Sequence, residues 1–431
     1  MKVPGIRISS LHLLTVLFWC TVGCADREQS PNVSSVSDNS PAAQLQSPSL
    51  KTGAQILSYR YLHELEGRNI GLIANPTARV GDSHLLDLLT VYGIRINSLF
   101  APEHGFRGDR PAGEEIQGGM DVETGLIVHS LYGSTRKPTP EMLEDIDLLI
   151  FDMQDVGVRF YTYISTLGLV LEAAAQQDVE VWVLDRPNPL GGEYVSGWVM
   201  QDEHQSFVGA FPIPVVHGLT MGEIALMINK EGWTKAGQKA NLRVIKMENW
   251  SREQHWNETG LEWRAPSPNL PHFTNALVYP GTCFFEGSNM SEGRGTSDPF
   301  MLVGSPGQQF TYEQLELITN RYPVSLERVE FVPEDMPGMA VNPKHKGETV
   351  IGVRVSPLTL DPMRLRPLEM GLELFRLLLR SDPDAETNRF LYNLAGTTQI
   401  DHFIEHDNPA AVYWQEELDM FRELRENYLL Y

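Results

Sequence analysis

Apolar runs alternate with helix-like stretches between residues 69 and 190, and this alternation predicts a parallel β-sheet covered by helices. Four runs are apolar enough to be strands buried on both faces: residues 70–74, 96–101, 146–153 and 179–184. Two stretches between them carry apolar side chains at helical spacing: residues 82–92 and 163–177. The pattern therefore predicts an α/β domain.

Beyond a turn-rich stretch near residue 270, the pattern predicts a second, smaller α/β or α+β domain. A helix at 221–231 and a strand at 242–246 precede a turn-rich stretch, residues 266–271. Later candidates are a strand at 350–355 and helices at 367–381 and 408–428. We place the domains at residues 53–275 and 276–431.

The first 23 residues predict a signal peptide. Lys2 and Arg7 lead into an apolar stretch, residues 11–22, which is too short to span a bilayer. Small residues precede Cys24, as in bacterial lipoproteins whose cysteine is lipidated after export. A plain signal peptide with an incidental cysteine is the alternative.

Residues 24–52 are rich in Ser, Pro, Asn and Gln and predict a flexible tether. We expect a protein on the periplasmic side of the bacterial envelope that contacts the membrane only through its N-terminal lipid. The net charge of −22 argues against binding to nucleic acid. Of the three cysteines, only Cys283 falls in the predicted domains, and we expect a buried thiol.

Polar or turn-forming residues follow each predicted strand of the first domain, at residues 75–77, 102–105, 154–157 and 185–189. Ligands of open parallel α/β sheets bind beyond the carboxyl ends of the strands. We therefore expect these four loops to converge on one edge of the sheet.

The loop at residues 102–108 brings together a carboxylate, an imidazole and a guanidinium: Glu103, His104 and Arg107. Glu103 is the leading candidate for a general acid or base. An ion pair between Glu103 and Arg107 that only holds the loop is an equally open interpretation.

Glu172 is the candidate for a second carboxylate, because glycosidic cleavage commonly uses two. Its helical neighbours are apolar, so its pKa would be raised if the side chain faced the cleft. An exposed helix glutamate with no catalytic role is the alternative.

Two further segments suit ligand binding. In residues 285–296 three glycines accompany acids and Arg294, which could hold a carboxylate with two hydrogen bonds. A structural ion pair between Glu292 and Arg294 is the alternative. Residues 155–163 mix charges with aromatic rings, as sugar sites do and as ordinary cores also do.

Several kinds of site are not indicated. No dinucleotide-binding or phosphate-binding motif follows the strands, and no Gly-x-Ser-x-Gly sequence marks a nucleophilic serine. His129, His217 and His345 are scattered, so we predict no metal and no cofactor.

Six motifs together resemble one known family, the NamZ-type exo-β-N-acetylmuramidases, formerly a domain family of unknown function. The motifs are NPT at 75–77, PEHGFRG at 102–108, SLYG at 130–133, FDMQDVGVRFYTY at 151–163, LDRPNP at 184–189 and SEGRGT at 291–296. They follow one another over nearly all of the chain beyond the tether.

The resemblance implies a Rossmann-like first domain, a smaller second domain and an active cleft between them, with no cofactor. It implies release of N-acetylmuramic acid from the non-reducing ends of peptidoglycan fragments, with Glu103 and Glu172 as the catalytic pair. The lactyl carboxylate of that sugar suits Arg294. The full predicted substrate-binding set is Asn75, His104, Arg107, Asp155, Arg159, Tyr161, Tyr163, Asn188, Asn289, Glu292 and Arg294.

Three matters stay open at this point. The reaction could retain or invert the anomeric configuration, or use the acetamido group of the substrate as nucleophile. A non-catalytic envelope lipoprotein that binds muropeptides would use the same cleft. An amidase or esterase is disfavoured by the missing nucleophile motif and metal ligands.

Overall fold

The structure is a computed structural model that describes residues 49–106 and 118–431. The predicted signal peptide, Cys24, most of the tether and Arg107 lie outside the described residues. The folded chain includes residues we assigned to the end of the tether. Leu50 is buried, Lys51 forms a β-bridge with Glu248, and the Thr52 side chain caps the first helix.

The strands of the described residues were only partly predicted. In chain order they are β1 Ile70–Ala74, β2 Arg79–Val80, β3 Ser83–His84, β4 Ile96–Ala101, β5 Gly119–Met120, β6 Ile127–Ser130, β7 Leu148–Asp152, β8 Glu180–Leu184, β9 Ser196–Val199, β10 Pro214–Val216, β11 Leu242–Ile245, β12 Leu302–Ser305, β13 Val324–Phe331 and β14 Val350–Pro357. The predicted bounds of β1 and β4 are confirmed to the residue.

The spacing of apolar residues predicts the longer helices better than the short ones. They are α1 Gly53–Ile56, α2 Leu85–Val91, α3 Pro140–Leu143, α4 Tyr163–Gln177, α5 Met221–Glu231, α6 Phe273–Thr282, α7 Tyr312–Thr319, α8 Pro362–Leu365, α9 Pro367–Arg380, α10 Phe390–Ala395, α11 Gln399–Glu405 and α12 Gln415–Arg425. The predicted bounds of α4 and α5 are confirmed. The helix predicted at 408–428 is instead a 3₁₀ turn, Ala410–Tyr413, followed by α12.

The main sheet has seven strands in the spatial order β11-β8-β7-β1-β4-β6-β5. All neighbours pair in parallel except β5, which lies antiparallel on the edge. Every residue of β1 and β7 is buried, which explains their continuous apolar sequence. The fold places helices on both faces of this sheet, as in a Rossmann-like domain.

The chain reverses its direction of travel across this sheet at β1. From β1 it moves through β4 to β6, and it then crosses to the other side for β7, β8 and β11. Loops that follow neighbouring strands on the two sides of such a reversal diverge and leave a crevice.

The later part of the chain has its own three-stranded antiparallel sheet, ordered β12-β14-β13. Helices α6 and α9 cross at two glycines. A Cβ atom on Gly371 would lie 2.4 Å from the Cα atom of Gly281, so no larger residue fits without movement.

One hydrophobic core joins the two parts, because it contains Phe151 and Leu167 of the first and Val303 and Phe375 of the second. The predicted α/β architecture with a smaller C-terminal domain is thus confirmed. Cys283 is buried with a free thiol, as predicted. Over residues 49–106 and 118–431, no helix has the length and apolar character to cross a bilayer.

Candidate functional site

A cavity of about 640 Å³ is lined by residues from both parts of the chain. The main sheet contributes loops after β4, β6 and β7, and the C-terminal part contributes segments around residues 286–300 and 339–344. Its volume is in the range of small-ligand sites, and charged groups converge with aromatic rings on its walls.

Glu103 lies on the cavity wall because it follows β4 at the carboxyl edge of the sheet. The next residue, His104, also lines the cavity and has a φ of 74°, an uncommon conformation for a residue with a side chain. Strained backbone of this kind clusters at functional sites. The turn after β4 is therefore shaped to present these two side chains.

Two hydroxyl groups hold the Glu103 carboxylate. Thr162 Oγ1 donates a hydrogen bond to Glu103 Oε2 at 2.8 Å. Burial, the charge of Glu103 and a hydrogen bond with it raise the pKa of the Tyr132 hydroxyl well above its usual value. Tyr132 consequently keeps its proton and acts as a donor towards the carboxylate.

Tyr161 and Tyr279 form an aromatic part of the same wall, with their ring centroids 6.3 Å apart. Burial raises the pKa of both hydroxyls well above the usual value, so both are neutral. Neutral tyrosine rings provide an apolar surface with polar tips, which suits a sugar ring bearing hydroxyl groups.

Arg294 lies at the centre of a charged cluster on the C-terminal wall. Its Nη2 donates to Glu286 Oε1 at 2.7 Å, and its Nε lies 3.6 Å from Glu292 Oε1. Burial by itself lowers the pKa of Arg294, but the two carboxylates outweigh it and hold the pKa above its usual value. Arg294 is therefore a permanent cation that faces the cavity.

Lys344 completes this cluster from the other side of Glu292. Its Nζ lies 3.1 Å from Glu292 Oε2 and donates to the backbone oxygens of Phe285 and Met290 at 2.8 and 3.0 Å. The two backbone hydrogen bonds fix the ammonium beside Glu292, and the contact between Lys344 and Glu292 is an ion pair without a hydrogen bond. Arg294, with five N–H donors, retains donors for a ligand.

Glu172 does not line the cavity of Glu103. It lies in an adjoining groove, where Oε1 accepts from Lys137 Nζ at 2.9 Å and Oε2 from the Lys235 backbone at 3.0 Å. Burial raises the pKa of Glu172, but these hydrogen bonds outweigh it and place the pKa below its usual value. A raised pKa was expected only if Glu172 faced the cleft, and in the groove the neighbouring ammonium instead stabilises its charged form.

Three of the predicted binding residues form hydrogen bonds with backbone turns and do not line the cavity. Asp155 Oδ2 accepts from the Gly157 amide at 2.7 Å, and Asn188 Oδ1 accepts from that of Leu190 at 2.9 Å. Asn289 holds the 384–386 segment with both atoms of its amide. Each of these side chains forms hydrogen bonds with backbone groups of a turn or loop, as Asp and Asn commonly do.

Three others are buried away from the cavity wall. Arg159 donates to the backbone oxygens of Trp198, Ile213 and Leu394. The Asn75 amide donates to the Tyr163 hydroxyl at 2.8 Å, and Tyr163 in turn donates to the Pro266 oxygen. Tyr163 packs against Tyr161 of the cavity wall, with ring centroids 4.8 Å apart.

The four loops follow parallel strands and so lie at one edge of the sheet, as predicted, but of these four only the loops after β4 and β7 reach the cavity. The loop after β8 turns inward, where Arg186 makes two hydrogen bonds with Asp152 at 2.6 and 2.9 Å. The loop after β1 lines a separate cavity of about 260 Å³ together with Arg186. Of the predicted binding set, the cavity contains His104, Tyr161, Glu292 and Arg294.

Sequence reasoning missed several side chains on the wall: Tyr132, Arg136, Thr162, Phe207, Tyr279, Glu286 and Lys344. Tyr132 and Thr162 stand inside motifs already singled out, so proximity to Glu103 was the missing information. Phe207 and Lys344 stand in loops without regular structure, and no sequence signal marked them.

Among the described residues, one group of side chains has the spacing of metal ligands: His402, Glu405 and His406. All three are exposed on or next to α11, and none of them lines the cavity. The cavity itself combines the carboxylate of Glu103 and its hydroxyl partners with the fixed guanidinium cation of Arg294.

Known families and proteins match both parts of the chain. Family profiles described as the N-terminal and C-terminal parts of exo-beta-N-acetylmuramidase NamZ match residues 70–274 and 277–431. The chain is 38% identical to peptidoglycan beta-N-acetylmuramidase NamZ of Bacillus subtilis over 410 residues, 92% of this chain and 95% of that protein.

Two solved structures are also similar, both of DUF1343 family proteins from Bacteroides fragilis. The first superposes with a TM-score of 0.78 at 35% identity, and the second with 0.74 at 32%. In both cases the match covers 89% of this chain and 99% of the solved chain.

Proposed function

Since the chain belongs to the exo-β-N-acetylmuramidase NamZ family and is a glycoside hydrolase, we propose that it releases N-acetylmuramic acid from the non-reducing ends of peptidoglycan fragments. The observation that carries the proposal is the presence of Glu103 and Arg294 in one cavity. The first supplies the acid that glycosidic cleavage needs, and the second supplies a partner for the lactyl carboxylate.

In the proposed reaction Glu103 acts as the general acid and base. Its carboxyl group gives a proton to the glycosidic oxygen as the bond to the terminal sugar breaks. Thr162 and Tyr132 orient the carboxyl group through their hydroxyls. Water then completes the hydrolysis, with the second group being either a carboxylate or the acetamido oxygen of the substrate.

Arg294 provides the selectivity for a muramic over a glucosamine residue in this proposal. The two sugars differ by the lactyl ether, whose carboxylate can accept two parallel hydrogen bonds from a guanidinium. Glu286 and Glu292 hold Arg294 in place, so little side-chain freedom is lost when the substrate binds.

The location of the enzyme belongs to the same proposal. A signal peptide at residues 1–23, a lipid on Cys24 and a flexible polar arm would hold the catalytic part near a membrane while it reaches fragments of the cell wall. The support for this arrangement is the order of charged, apolar and small residues before Cys24.

The test is hydrolysis of a chromogenic aryl β-N-acetylmuraminide and of the matching glucosaminide by the full chain and three variants. Glu103→Gln is expected to lower kcat at least about 100-fold on the muraminide, because general acid catalysis contributes roughly 10² to 10⁴. Arg294→Lys keeps the charge but not the planar fork, so it should raise KM roughly tenfold.

Glu172→Gln is the matched control, because it makes the same chemical change outside the cavity. We expect it to retain most of the activity. A loss as large as that of Glu103→Gln would restore Glu172 as a catalytic residue. If the unmutated chain releases no aryl group from either substrate, the proposal fails and binding of muropeptides becomes the better hypothesis.

A further inference from the structure

The groove that contains Glu172 adjoins the catalytic cavity. It has a volume of about 700 Å³, and it shares Arg136, Ser206 and Phe207 with the cavity wall. We propose that this side groove, defined by Arg136, Lys137, Glu172, Phe207, Trp233 and Lys235, binds the leaving part of the substrate: a peptide-free glycan strand with free lactyl carboxylates. The inference rests on the proposed function.

The geometry of an exo-acting enzyme requires such a path. When the terminal sugar fills the cavity beside Glu103, the rest of the strand must leave it through an opening. The side groove and the cavity share Arg136 and Phe207. The ring centroid of Phe207 lies 6.0 Å from that of Tyr132, which is a hydrogen-bond partner of Glu103. The sugar beyond the cleaved bond would therefore enter the groove next to the general acid.

Aromatic rings line the groove in a manner suited to sugar faces. The Trp233 indole stacks on Phe211 with centroids 6.0 Å apart and planes inclined by 19°. It is half-buried, so it is held by packing while part of the ring remains accessible. Arg136 lies over the Phe207 ring, 4.5 Å from its centroid. Rings held in this way offer contact area at little cost in side-chain entropy.

The charges of the groove distinguish a strand with carboxylates from a neutral saccharide. Lys137, Lys235 and Arg136 are three cations on its wall, against the single carboxylate of Glu172. This excess stands out in a chain of net charge −22. In a glycan of alternating N-acetylglucosamine and N-acetylmuramic acid, the lactyl groups are the anions that such cations would recognise.

Glu172 acts here as a positioning residue. It holds the Lys137 ammonium with one oxygen and the backbone of Lys235 with the other. The ammonium of Lys235 itself forms no ion pair with any residue that the structure describes. The backbone is thus fixed while the Lys235 side chain stays available for a ligand.

The test compares kcat/KM on a peptide-free tetrasaccharide, (N-acetylmuramic acid–N-acetylglucosamine)₂, with kcat/KM on the aryl muraminide, which has no sugar beyond the cleaved bond. The unmutated chain should prefer the tetrasaccharide at least about tenfold. Trp233→Ala and Lys235→Ala should each lower this ratio about tenfold, since a stacking or charge contact contributes on the order of 1 kcal/mol. Lys235→Ala keeps the backbone contact with Glu172.

Two exposed residues outside the groove serve as matched controls, through Tyr312→Ala and Lys239→Ala. Neither should change the ratio. A third substrate, the same tetrasaccharide with stem peptides on its lactyl groups, distinguishes the source of the anion. If Lys235→Ala affects only this peptide-bearing substrate, the groove binds peptide and the inference is overturned.

The outcomes also separate the inference from the proposed function. Cleavage of the aryl muraminide with equal ratios in all variants would overturn the groove assignment alone. Absence of cleavage on every muraminide would overturn both. A reduced ratio in Trp233→Ala and Lys235→Ala, with unchanged ratios in the controls, would establish the groove as the glycan path.

Discussion

At the scale of single residues, Asp185 is a buried carboxylate whose charged form is disfavoured by burial and favoured by hydrogen bonds. Its oxygens accept four hydrogen bonds, from Arg186 N, Gly222 N, Thr220 Oγ1 and Tyr431 OH. Burial is the larger influence, and it raises the pKa of Asp185 from 3.8 to about 6.

This raised pKa predicts a specific dependence of stability on pH. Between about pH 4 and 6 the folded state binds a proton at Asp185 that the unfolded state has lost. The free energy of unfolding therefore falls as pH rises through this window, by roughly 3 kcal/mol from this group. Urea unfolding at a series of pH values from 4 to 7 measures the change.

Asp185→Asn should remove this component, so the difference in unfolding free energy between the unmutated chain and the variant should shrink or reverse as pH rises. Glu423→Gln, which changes an exposed carboxylate, is the control and should leave the pH profile unaltered. A constant difference between the unmutated chain and Asp185→Asn across the window would disprove the assignment.

Residue type predicted the chemistry of the site better than it predicted the position of each side chain. Glu103 and Arg294 were found because they follow strand ends or glycine turns. Arg159 and Asn188 stand in equally suggestive motifs, yet their donors satisfy backbone oxygens inside the protein. Buried polar groups need hydrogen-bond partners, and this need determines whether such a side chain binds the backbone or is available to a ligand. Only the packed structure shows which groups are buried.

At the scale of elements, α6 and α9 are held together by a close approach of their backbones. Gly281 and Gly371 face each other, and a Cβ atom on Gly281 would lie 2.3 Å from the Pro367 oxygen. The crossing supports the wall of the cavity, because α6 carries Tyr279 and leads into the segment that contains Glu286.

Gly371→Ala should therefore destabilise the protein by about 1–3 kcal/mol, the usual cost of overpacking. Alanine gains up to about 1 kcal/mol of helix propensity over glycine, which offsets only part of this cost. Thermal or urea unfolding measures the difference. Gly119→Ala is the control, since nothing lies within 4 Å of its added Cβ atom. Equal stabilities of both variants would contradict the close crossing.

Elements with a strong internal pattern were predicted to the residue, whereas elements defined by their partners were not. α4 and β1 are buried along nearly their whole length, so apolar spacing marks them directly. β13 has mostly exposed or half-buried side chains, and it is a strand because β14 pairs with it over eight positions. Pairing between distant segments leaves little trace in a local sequence window.

At the scale of the whole molecule, the cavity belongs to both parts of the chain and the core is continuous between them. A ligand that contacts both walls binds only when both are folded. N-acetylmuramic acid at 100 times its Kd should thus raise the free energy of unfolding by about 2.7 kcal/mol and Tm by roughly 3 °C.

Calorimetry with and without the sugar is the measurement, and we expect one transition that moves as a unit. N-acetylglucosamine at the same concentration is the control, since it lacks the lactyl carboxylate that Arg294 is proposed to bind. Two separate transitions, of which only one responds to N-acetylmuramic acid, would show that the walls do not fold together.

The predicted architecture was correct for the whole molecule because strand and helix alternation determines a parallel sheet, and a ligand site at its carboxyl edge follows from that topology. The C-terminal wall was harder to predict. Arg294 was recognised within its motif, but its hydrogen bond with Glu286 spans 8 residues, and the bond that brings Lys344 to the Phe285 oxygen spans 59.

The hydrogen bond between Tyr431 and Asp185 joins residues 246 positions apart. A growing chain on the ribosome contains the complete main sheet, including β11, long before it contains Tyr431. During that interval Asp185 lacks one of its four donors, and the loop after β8 lacks its contact with the C-terminal tail. Synthesis of the last helix and its tail is therefore the step at which this sheet reaches its full stability.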